Sequence, residues 1–481
     1  MYKKLIANPA IRYILSRYIT YIIQLINSIF IAVYLGPIYL GIWGFINLII
    51  QYFGQLNFGI PHSVTAIASV YKSNKKYVSK IATTAISMLI LLTVFILLFF
   101  VGNHLFDIKI GNKFSFSKYA PLVFLIAVLG NFNNLLSNIF RIYGRLFEIA
   151  FYQSIFPVLV LIALFLFKGD DLLWALIIAN CIALILSLIL FLIRSPIKLK
   201  LVFNIKLAKK IQQKGWHLFI YNSSFYLIII STRSIISVYY EISEFGYFTF
   251  AFSMANTIFL LFESFSYLIF PKLLNRFATN SNQQIANILE MVRNSYITIS
   301  HLLIHIAIFL FPIFLSFFPK YEQASKAFSM IALTIVLYTS SYGYQGLLIA
   351  KGEEKKLGML AFLALCFNII SALFLVLKFN ISFFMVIIST MFTYFIYVYF
   401  LCAFGRVKLN LPSNFMSVFK DVYPYRLFIS YAVSLCLVIY SAANIYFIIP
   451  IILTLFFNYK ELIKLKDLVN KIITNPNFIN I

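Results

Sequence analysis

The sequence is poor in charge, and especially in negative charge. Of 481 residues, 11% are charged and only 14 are Asp or Glu, whereas soluble domains contain about 25% charged residues. Hydrophobic residues make up 62% of the chain, against roughly 45–50% in soluble domains. This composition excludes a soluble protein and predicts an all-α polytopic membrane protein with no room for a large soluble domain.

Cysteine is scarce, and nucleotide and metal motifs are missing. The four cysteines all lie in apolar runs without a CxxC pair, which favours core residues over a disulfide framework. No GxxxxGK[ST] motif occurs, so ATP hydrolysis by this chain is not expected. We therefore expect no cofactor, and energy from a H⁺ or Na⁺ gradient, from the substrate's own gradient or from a partner.

Breaks at charges, Gly and Pro divide the chain into fourteen apolar segments, each close to the roughly 20 residues that a spanning helix needs. Arg17, Gln24 and Asn27 interrupt the first segment, which leads straight into the second and is therefore expected to be an uncleaved helix. The candidate spans are 11–34, 38–60, 81–102, 119–140, 149–167, 172–193, 216–239, 245–270, 297–318, 327–350, 357–377, 381–403, 427–443 and 446–458.

The basic residues are distributed very unevenly between alternate loops. The two ends and every second loop carry 30 Lys and Arg, the other loops carry 7, and Arg17 and Arg233 lie inside spans. The positive-inside rule then predicts that both termini are cytoplasmic. The net charge of +25 is thereby explained by orientation, and no nucleic-acid partner is expected.

Two turns recur in the two halves of the chain. Gly41, after the first span, is matched 205 positions later by Gly246, and Gly144 is matched 208 positions later by Gly352. Two matches in register favour parallel repeats of six spans, a transporter pattern. The predicted divisions are an N-lobe (1–200), a cytoplasmic amphipathic linker (201–215), a C-lobe (216–405) and two further helices with a cytoplasmic tail (406–481).

Polar residues follow single faces of several spans at three- and four-residue steps. Helix-contact residues and residues of a water-filled cavity both give such stripes. The large amides and aromatics favour the cavity, because tight helix contacts prefer Gly, Ala and Ser. The candidate substrate-binding residues on these stripes are Gln24, Asn27, Asn47, Gln51, Gln55 and Asn256.

Arg17 and Arg233 give the expected cavity a positive sign. Each lies about six residues from a span end, so a long side chain could instead reach the headgroups. Arginine matches phosphate oxygens with two parallel hydrogen bonds, which favours a phosphate-bearing substrate. His301 and His305, four residues apart in the ninth span, lack a third metal ligand and are interpreted as a helix contact or a protonatable pair.

The opening of the chain resembles a known family. The segments are Tyr34-Leu-Gly-Pro-Ile-Tyr-Leu-Gly-Ile-Trp-Gly-Phe45 and Gln55-Leu-Asn-Phe-Gly-Ile-Pro61, after an Arg-bearing first helix. They are similar to the Wzx-type O-antigen and polysaccharide flippases, whose superfamily includes multidrug extruders and lipid II flippases. The resemblance implies two six-helix bundles, MATE-like and related by a pseudo-twofold axis, plus two C-terminal transmembrane helices.

The same resemblance implies a function and partners. It implies a non-enzymatic flippase of the bacterial inner membrane, which moves an undecaprenyl-diphosphate-linked O-antigen repeat unit to the periplasmic face by alternating access during lipopolysaccharide biosynthesis. An O-antigen polymerase and a chain-length regulator are candidate protein partners.

Two other functions use similar sequences. A cation-coupled drug extruder would want a carboxylate in its first lobe, where this chain has Arg17. An O-antigen polymerase or ligase would need a long periplasmic loop, and the longest outer loop here is short.

A gate is also expected from the depths of three side chains. Arg17 and Glu263 lie about six and seven residues from the cytoplasmic ends of their spans, and His62 lies near the same level. The resemblance implies that spans one and eight belong to opposite lobes and face each other. The hypothesis is that Arg17 pairs with Glu263 when the cytoplasmic side is shut, with His62 as a protonatable neighbour. The alternative is that Glu263 bonds within its own lobe.

The loop assignment makes a topological prediction. Single cysteines at Asn112 and Lys209 should react with impermeant maleimides from opposite sides of the membrane, because these loops belong to the basic-poor and basic-rich sets. Labelling of both from one side would contradict the span assignment.

Overall fold

The protein is an all-helical chain, described by a computed structural model over residues 9–105, 111–199 and 202–464, without the side chains of 9–15, 99–100, 102–105, 261–272 and 275. Within this part, nine helices are long and apolar enough to cross a membrane, or ten if one bent pair is a single span. Each of the fourteen predicted spans falls on a helix. The predicted multi-pass, all-α class is thereby confirmed.

The first seven helices end at Tyr239. They are α1 (Pro9–Gln55), α2 (Ile60–Val70), α3 (Lys75–Leu105), α4 (Ala120–Ile142), α5 (Leu146–Leu166), α6 (Gly169–Ile193) and α7 (Ile205–Tyr239). Gly36, with φ 67° and ψ 173°, interrupts α1, so α1 supplies both the first and the second predicted span. Helix α7 runs through most of the predicted linker, which forms its first turns.

The remaining helices carry the rest of the spans. They are α8 (Ile242–Thr279), α9 (Asn282–Leu315), α10 (Ala324–Thr339), α11 (Tyr344–Ala350), α12 (Glu354–Phe379), α13 (Ile387–Lys408), α14 (Phe415–Val422), α15 (Tyr425–Ile439) and α16 (Ile448–Phe457). The tenth predicted span is split between α10 and α11. Helices α14 and α15 meet at an angle of 70°.

The chain forms two compact units. Among the described residues, the N-terminal unit comprises Leu15–Ser223 with Glu241–Gly246, and the C-terminal unit comprises 9–14, Ser224–Tyr240 and 247–464. In the N-terminal unit, the rings of Phe140, Tyr152 and Phe191 join α4, α5 and α6, with Phe140 and Phe191 centroids 4.9 Å apart. In the C-terminal unit, Phe225 of α7 packs against Tyr338 of α10 and Tyr394 of α13.

Two turns of the N-terminal unit make reciprocal contacts. A Cβ on Gly41 would overlap the backbone carbonyl of Ile242, and a Cβ on Gly246 would overlap that of Pro37. Pro37 and Ile242 are 205 positions apart, as are Gly41 and Gly246. The two contacts are therefore reciprocal: Gly41 lies against Ile242, and Gly246 lies against Pro37. The sequence repeat thus has a structural counterpart, and glycine is required because backbone meets backbone.

A buried ion cluster holds α14 in the C-terminal unit. The carboxylate of Asp421 accepts hydrogen bonds from Arg293 of α9, Tyr344 of α11 and Arg406 of α13, the last at 2.8 Å. Arg293 is 3% exposed, and it also donates to the carbonyl oxygens of Ser340 at 3.0 Å and Asp421 at 2.8 Å. Arg293 and Arg406, which the sequence assigns to orientation, therefore also fix the C-terminal helices.

The reciprocal glycine contact gives a stability prediction. Gly41→Ala and Gly246→Ala should each lower the thermal unfolding temperature in detergent by several degrees, because overpacking against a backbone typically costs about 1–3 kcal/mol. Gly130→Ala on α4 is the matched control, since a Cβ there meets nothing within 4 Å. Equal unfolding temperatures for all three variants would contradict the contact.

The ion cluster around Asp421 gives a second stability prediction. Asp421→Asn should destabilise the protein by about 3–5 kcal/mol, because it leaves the buried Arg293 without its counter-charge. Asp171→Asn, at an exposed carboxylate in the first turn of α6, should change stability little. Thermal unfolding of the purified variants measures both, and an unaffected Asp421→Asn would show that the cluster does not anchor α14.

Candidate functional site

Arg17 is a partly buried arginine on the first half of α1. Its Nη1 donates to Gln153 Oε1 of α5 at 2.6 Å, and its Nη2 donates to the Tyr21 hydroxyl at 2.9 Å. The guanidinium carbon lies 4.9 Å from the centre of the Tyr21 ring. None of the ion pairs among the described side chains includes Arg17, and its Nε has no hydrogen-bond partner. A guanidinium held by neutral groups retains its capacity to bind an anion.

Two polar residues lie about two and three turns beyond Arg17 on α1, and their surroundings differ. Gln24 is half-buried. Asn27 is buried and donates from Nδ2 to the carbonyl oxygen of Pro157 on α5 at 2.8 Å, while its Oδ1 has no partner. The Asn27 amide therefore makes the kind of helix contact that was the alternative to a binding role.

The second polar stripe of α1 is bonded mainly to the protein itself. Asn47 donates to the carbonyl oxygen of Trp43 in its own helix at 2.8 Å. Gln55 Oε1 accepts from the Ser223 hydroxyl of α7 at 3.0 Å, and Gln51 is half-buried. Binding of substrate by these amides stays a prediction, because their contacts within the protein do not require a bound substrate.

The break between α1 and α2 is built from asparagines. Asn57 Nδ2 donates to the Gly54 carbonyl oxygen at 2.6 Å, and its Oδ1 accepts from the Gly59 N–H at 3.0 Å. Asn131 of α4 donates to the carbonyl oxygen of Phe53 at 3.4 Å. These amides replace the hydrogen bonds that the interrupted helix loses, which lipid could not supply.

The expected gate falls partly outside the described residues. His62 is exposed near the start of α2, and Arg17 has the partners given above. Glu263 lies on α8, but its side chain is outside the described set. The pairing of Arg17 with Glu263 therefore stays a prediction.

Arg233 occupies a different environment in the C-terminal unit. It is 2% exposed on α7, and its guanidinium carbon lies 4.6 Å from the centre of the Phe252 ring on α8. Asn256, one turn further along α8, is half-buried. A cation stacked on an aromatic face is stabilised by the ring quadrupole, and the substrate role of Arg233 stays a prediction.

A neutral hydrogen-bonded network beside Arg233 was missed by the sequence reasoning. Asn368 of α12 donates to the Ile228 carbonyl oxygen at 2.8 Å and lies 3.0 Å from both Ser231 Oγ and Thr232 Oγ1 of α7. Its Oδ1 accepts from Thr393 of α13 at 3.3 Å. The only sequence signal was a single asparagine in an apolar span, because the hydroxyl partners come from two other helices.

Among the described residues, no group of three or more His, Cys, Asp or Glu side chains could hold a metal ion. Two predicted site residues have defined surroundings. Arg17 is held by the neutral side chains of Gln153 and Tyr21, here called the Arg17 cradle, and Arg233 stacks on Phe252. Both place a guanidinium within a hydrophobic helical protein, and each can pair with phosphate oxygens.

The fold is shared with solved membrane proteins. "Lipid II flippase MurJ, inward closed conformation" has a TM-score of 0.72 and 17% identity over 95% of this chain and 100% of that one. "Outward-facing conformation of a multidrug resistance MATE family transporter of the MOP superfamily" has a TM-score of 0.60 and 13% identity over 84% of this chain and 97% of that one. Likeness at these identities establishes the fold, and confirms the predicted MATE-like arrangement.

Sequence comparison identifies the family. No curated protein sequence matches the chain. The profile described as "Polysaccharide biosynthesis protein" matches residues 6–275, which is more than half of the 481 residues. The chain therefore belongs to the polysaccharide biosynthesis protein family, with a fold of the kind seen in lipid II flippases and multidrug transporters.

Proposed function

We propose that the protein is a flippase for an undecaprenyl-diphosphate-linked oligosaccharide, the repeat unit of an O-antigen. It moves this lipid from the cytoplasmic to the periplasmic face of the bacterial inner membrane by alternating access. An O-antigen polymerase and its chain-length regulator are the proposed recipients of the flipped unit.

The observation that carries this proposal is the Arg17 cradle. A guanidinium in a spanning helix is costly unless it has partners, and Arg17 is held by Gln153 and Tyr21 without a counter-charge among the described side chains. A diphosphate provides that counter-charge and matches the planar donor geometry of arginine. The free Nε adds one further donor.

Two further observations support an anionic, sugar-bearing lipid. The family profile is that of polysaccharide biosynthesis proteins, and a protein of similar fold is titled a lipid II flippase. The acidic residues described on α5 and α6 lie in their first turns, so the interiors of these helices do not offer the carboxylate that a cationic drug would need.

The function can be tested directly in vesicles. Proteoliposomes containing the purified chain and lipid-linked repeat units from the source cells should expose inner-leaflet substrate to an impermeant pyrophosphatase. In protein-free vesicles the inner-leaflet share, about half of the total substrate, should stay protected from the enzyme. Protection equal to that of protein-free vesicles would overturn the flippase, and transport of organic cations instead would indicate a drug extruder.

Arg17 provides the mutational prediction. Arg17→Ala should lower the flipping rate at least tenfold, since a charge-assisted hydrogen bond is worth about 1.5–3 kcal/mol, and Arg17→Lys should recover it only partly because lysine lacks the fork. Arg194→Ala, at an exposed arginine that follows α6, is the matched control.

Abundance and unfolding temperature are measured alongside the flipping rate. They should be unchanged in the Arg17 variants, since Arg17 is only partly buried. Wild-type flipping by a stable Arg17→Ala protein would refute the role of this residue in substrate binding.

A further inference from the structure

A second polar site lies in the C-terminal unit, away from both arginines described above. Helix α9 carries Thr298, His301 and His305 on one face, and α15 carries Tyr431 and Ser434 on the face opposite. His305 Nδ1 and Ser434 Oγ share a hydrogen bond at 2.9 Å, and the His301 ring lies 5.9 Å from that of His305 and 6.3 Å from that of Tyr431. All five residues are buried, none with more than 5% of its surface exposed.

This site contains polar atoms that the protein leaves unsatisfied. Thr298 Oγ1, His301 Nδ1, His305 Nε2 and the Tyr431 hydroxyl are buried without a hydrogen-bond partner. Burying such groups unpaired costs free energy, and the Asn368 network shows that the same unit can satisfy a buried amide fully. Two neighbouring imidazole rings, each with a buried nitrogen that lacks a hydrogen-bond partner, point to binding of a proton.

A cavity lies one helical turn beyond this site. It has a volume of about 840 Å³ and is lined by Ile308 and Pro312 of α9 and by Leu437 and Val438 of α15. Ile308 follows His305 by three residues, about 4.5 Å along the helix, and Leu437 follows Ser434 by the same step. The lining of the cavity therefore begins one turn beyond His305 on α9 and one turn beyond Ser434 on α15.

The cavity also has polar groups that can hold water. Pro312 has no N–H, so it cannot donate to the carbonyl oxygen of Ile308 within α9. Asn444 lines the cavity and has a buried Oδ1 without a partner, and Glu322 and Lys326 lie in the same lining. By the basic-residue distribution, the loop after α9 belongs to the outer set.

Glu322 and Lys326 line the cavity, and the arginines of α9 and α15 are each paired with a carboxylate. Arg293, two turns before His301 on α9, is bonded to Asp421 of α14. At the start of α15, Arg426 pairs with Glu461. Helix α16, which also packs on α9, contains no titratable side chain, and Tyr247 of α8 lies against Tyr321 towards the outer end. The two histidines are thus the groups best placed to change protonation in this pocket.

We propose that His301 and His305 form a proton-binding site that is loaded from the outer face through this cavity. The proton adds to a free imidazole nitrogen, and its release on the other side couples the proton gradient to transport. This inference rests on the proposed flippase function. In it, the proton is the driving ion, and His301 and His305 are the residues that bind it.

The test compares driven with undriven transport. Proteoliposomes with a pH indicator inside should show substrate-dependent acidification and faster flipping under an inward proton gradient. His301→Gln and His305→Gln should lose at least tenfold of the gradient-dependent stimulation while keeping gradient-free flipping. His217→Gln, at an exposed histidine of α7, should behave like the wild type.

Two variants that keep both histidines separate coupling from folding. Ser434→Ala removes the partner of His305 and should shift the pH midpoint of stimulation by about 0.5–1 unit, as expected for one hydrogen bond. Ile308→Phe narrows the cavity and should slow proton uptake at an unchanged midpoint. If the unfolding temperature of a histidine variant falls, the Ser434→Ala and Ile308→Phe variants test the proton site in its place.

The outcomes distinguish the two proposals. Gradient-free flipping that no proton gradient accelerates in the wild type would overturn the proton site and leave the flippase standing. Full stimulation in the double histidine variant would also overturn the site, and so would loss of stimulation on treatment of the wild type with a metal chelator. Absence of flipping under every condition would instead reject the proposed function, and the coupling site with it.

Discussion

The hydrocarbon core of a membrane offers polar groups no hydrogen-bond partners, so every polar side chain in a spanning helix has to find one inside the protein. In this chain the requirement sorts the buried polar residues into distinct kinds. Some bond to backbone carbonyls freed at helix breaks, as Asn57 does at Gly54. Others, such as Arg17 and the His301–His305 pair, keep open hydrogen-bonding positions, and these are where the proposed chemistry lies.

The C-terminal unit contains three solutions to the same problem. The Arg293–Asp421–Arg406 cluster neutralises charge with charge and ties α14 to three other helices. The Asn368 network is neutral and complete, and joins α7, α12 and α13. The histidine pocket is incomplete. A closed network stabilises a rigid bundle, whereas the proposed proton site depends on polar atoms that the protein leaves unsatisfied.

The reciprocal contacts of Gly41 and Gly246 show how a repeated sequence pattern determines local packing. Each glycine allows the backbone of the other turn to come within van der Waals distance, and a side chain at either position would push the turns apart. The two contacts are related by the same offset of 205 positions, so one local sequence pattern supplies the glycine at both.

The sequence by itself determined the fold class and the positions of the apolar helical segments, because hydrophobic length and helical periodicity are local properties. It also found Arg17, Arg233, the histidine pair and the glycine repeat, since charges in apolar runs and matched turns are visible in one dimension. Tertiary structure decided which of these residues have partners: Asn27 meets Pro157, Gln55 meets Ser223, and Arg293 is buried against Asp421 at a distance of 128 positions along the chain. Such partners come from helices far apart in sequence, and no local pattern specifies which faces meet. The cavity beside His305 has the same origin, because empty space between helices exists only once they have packed.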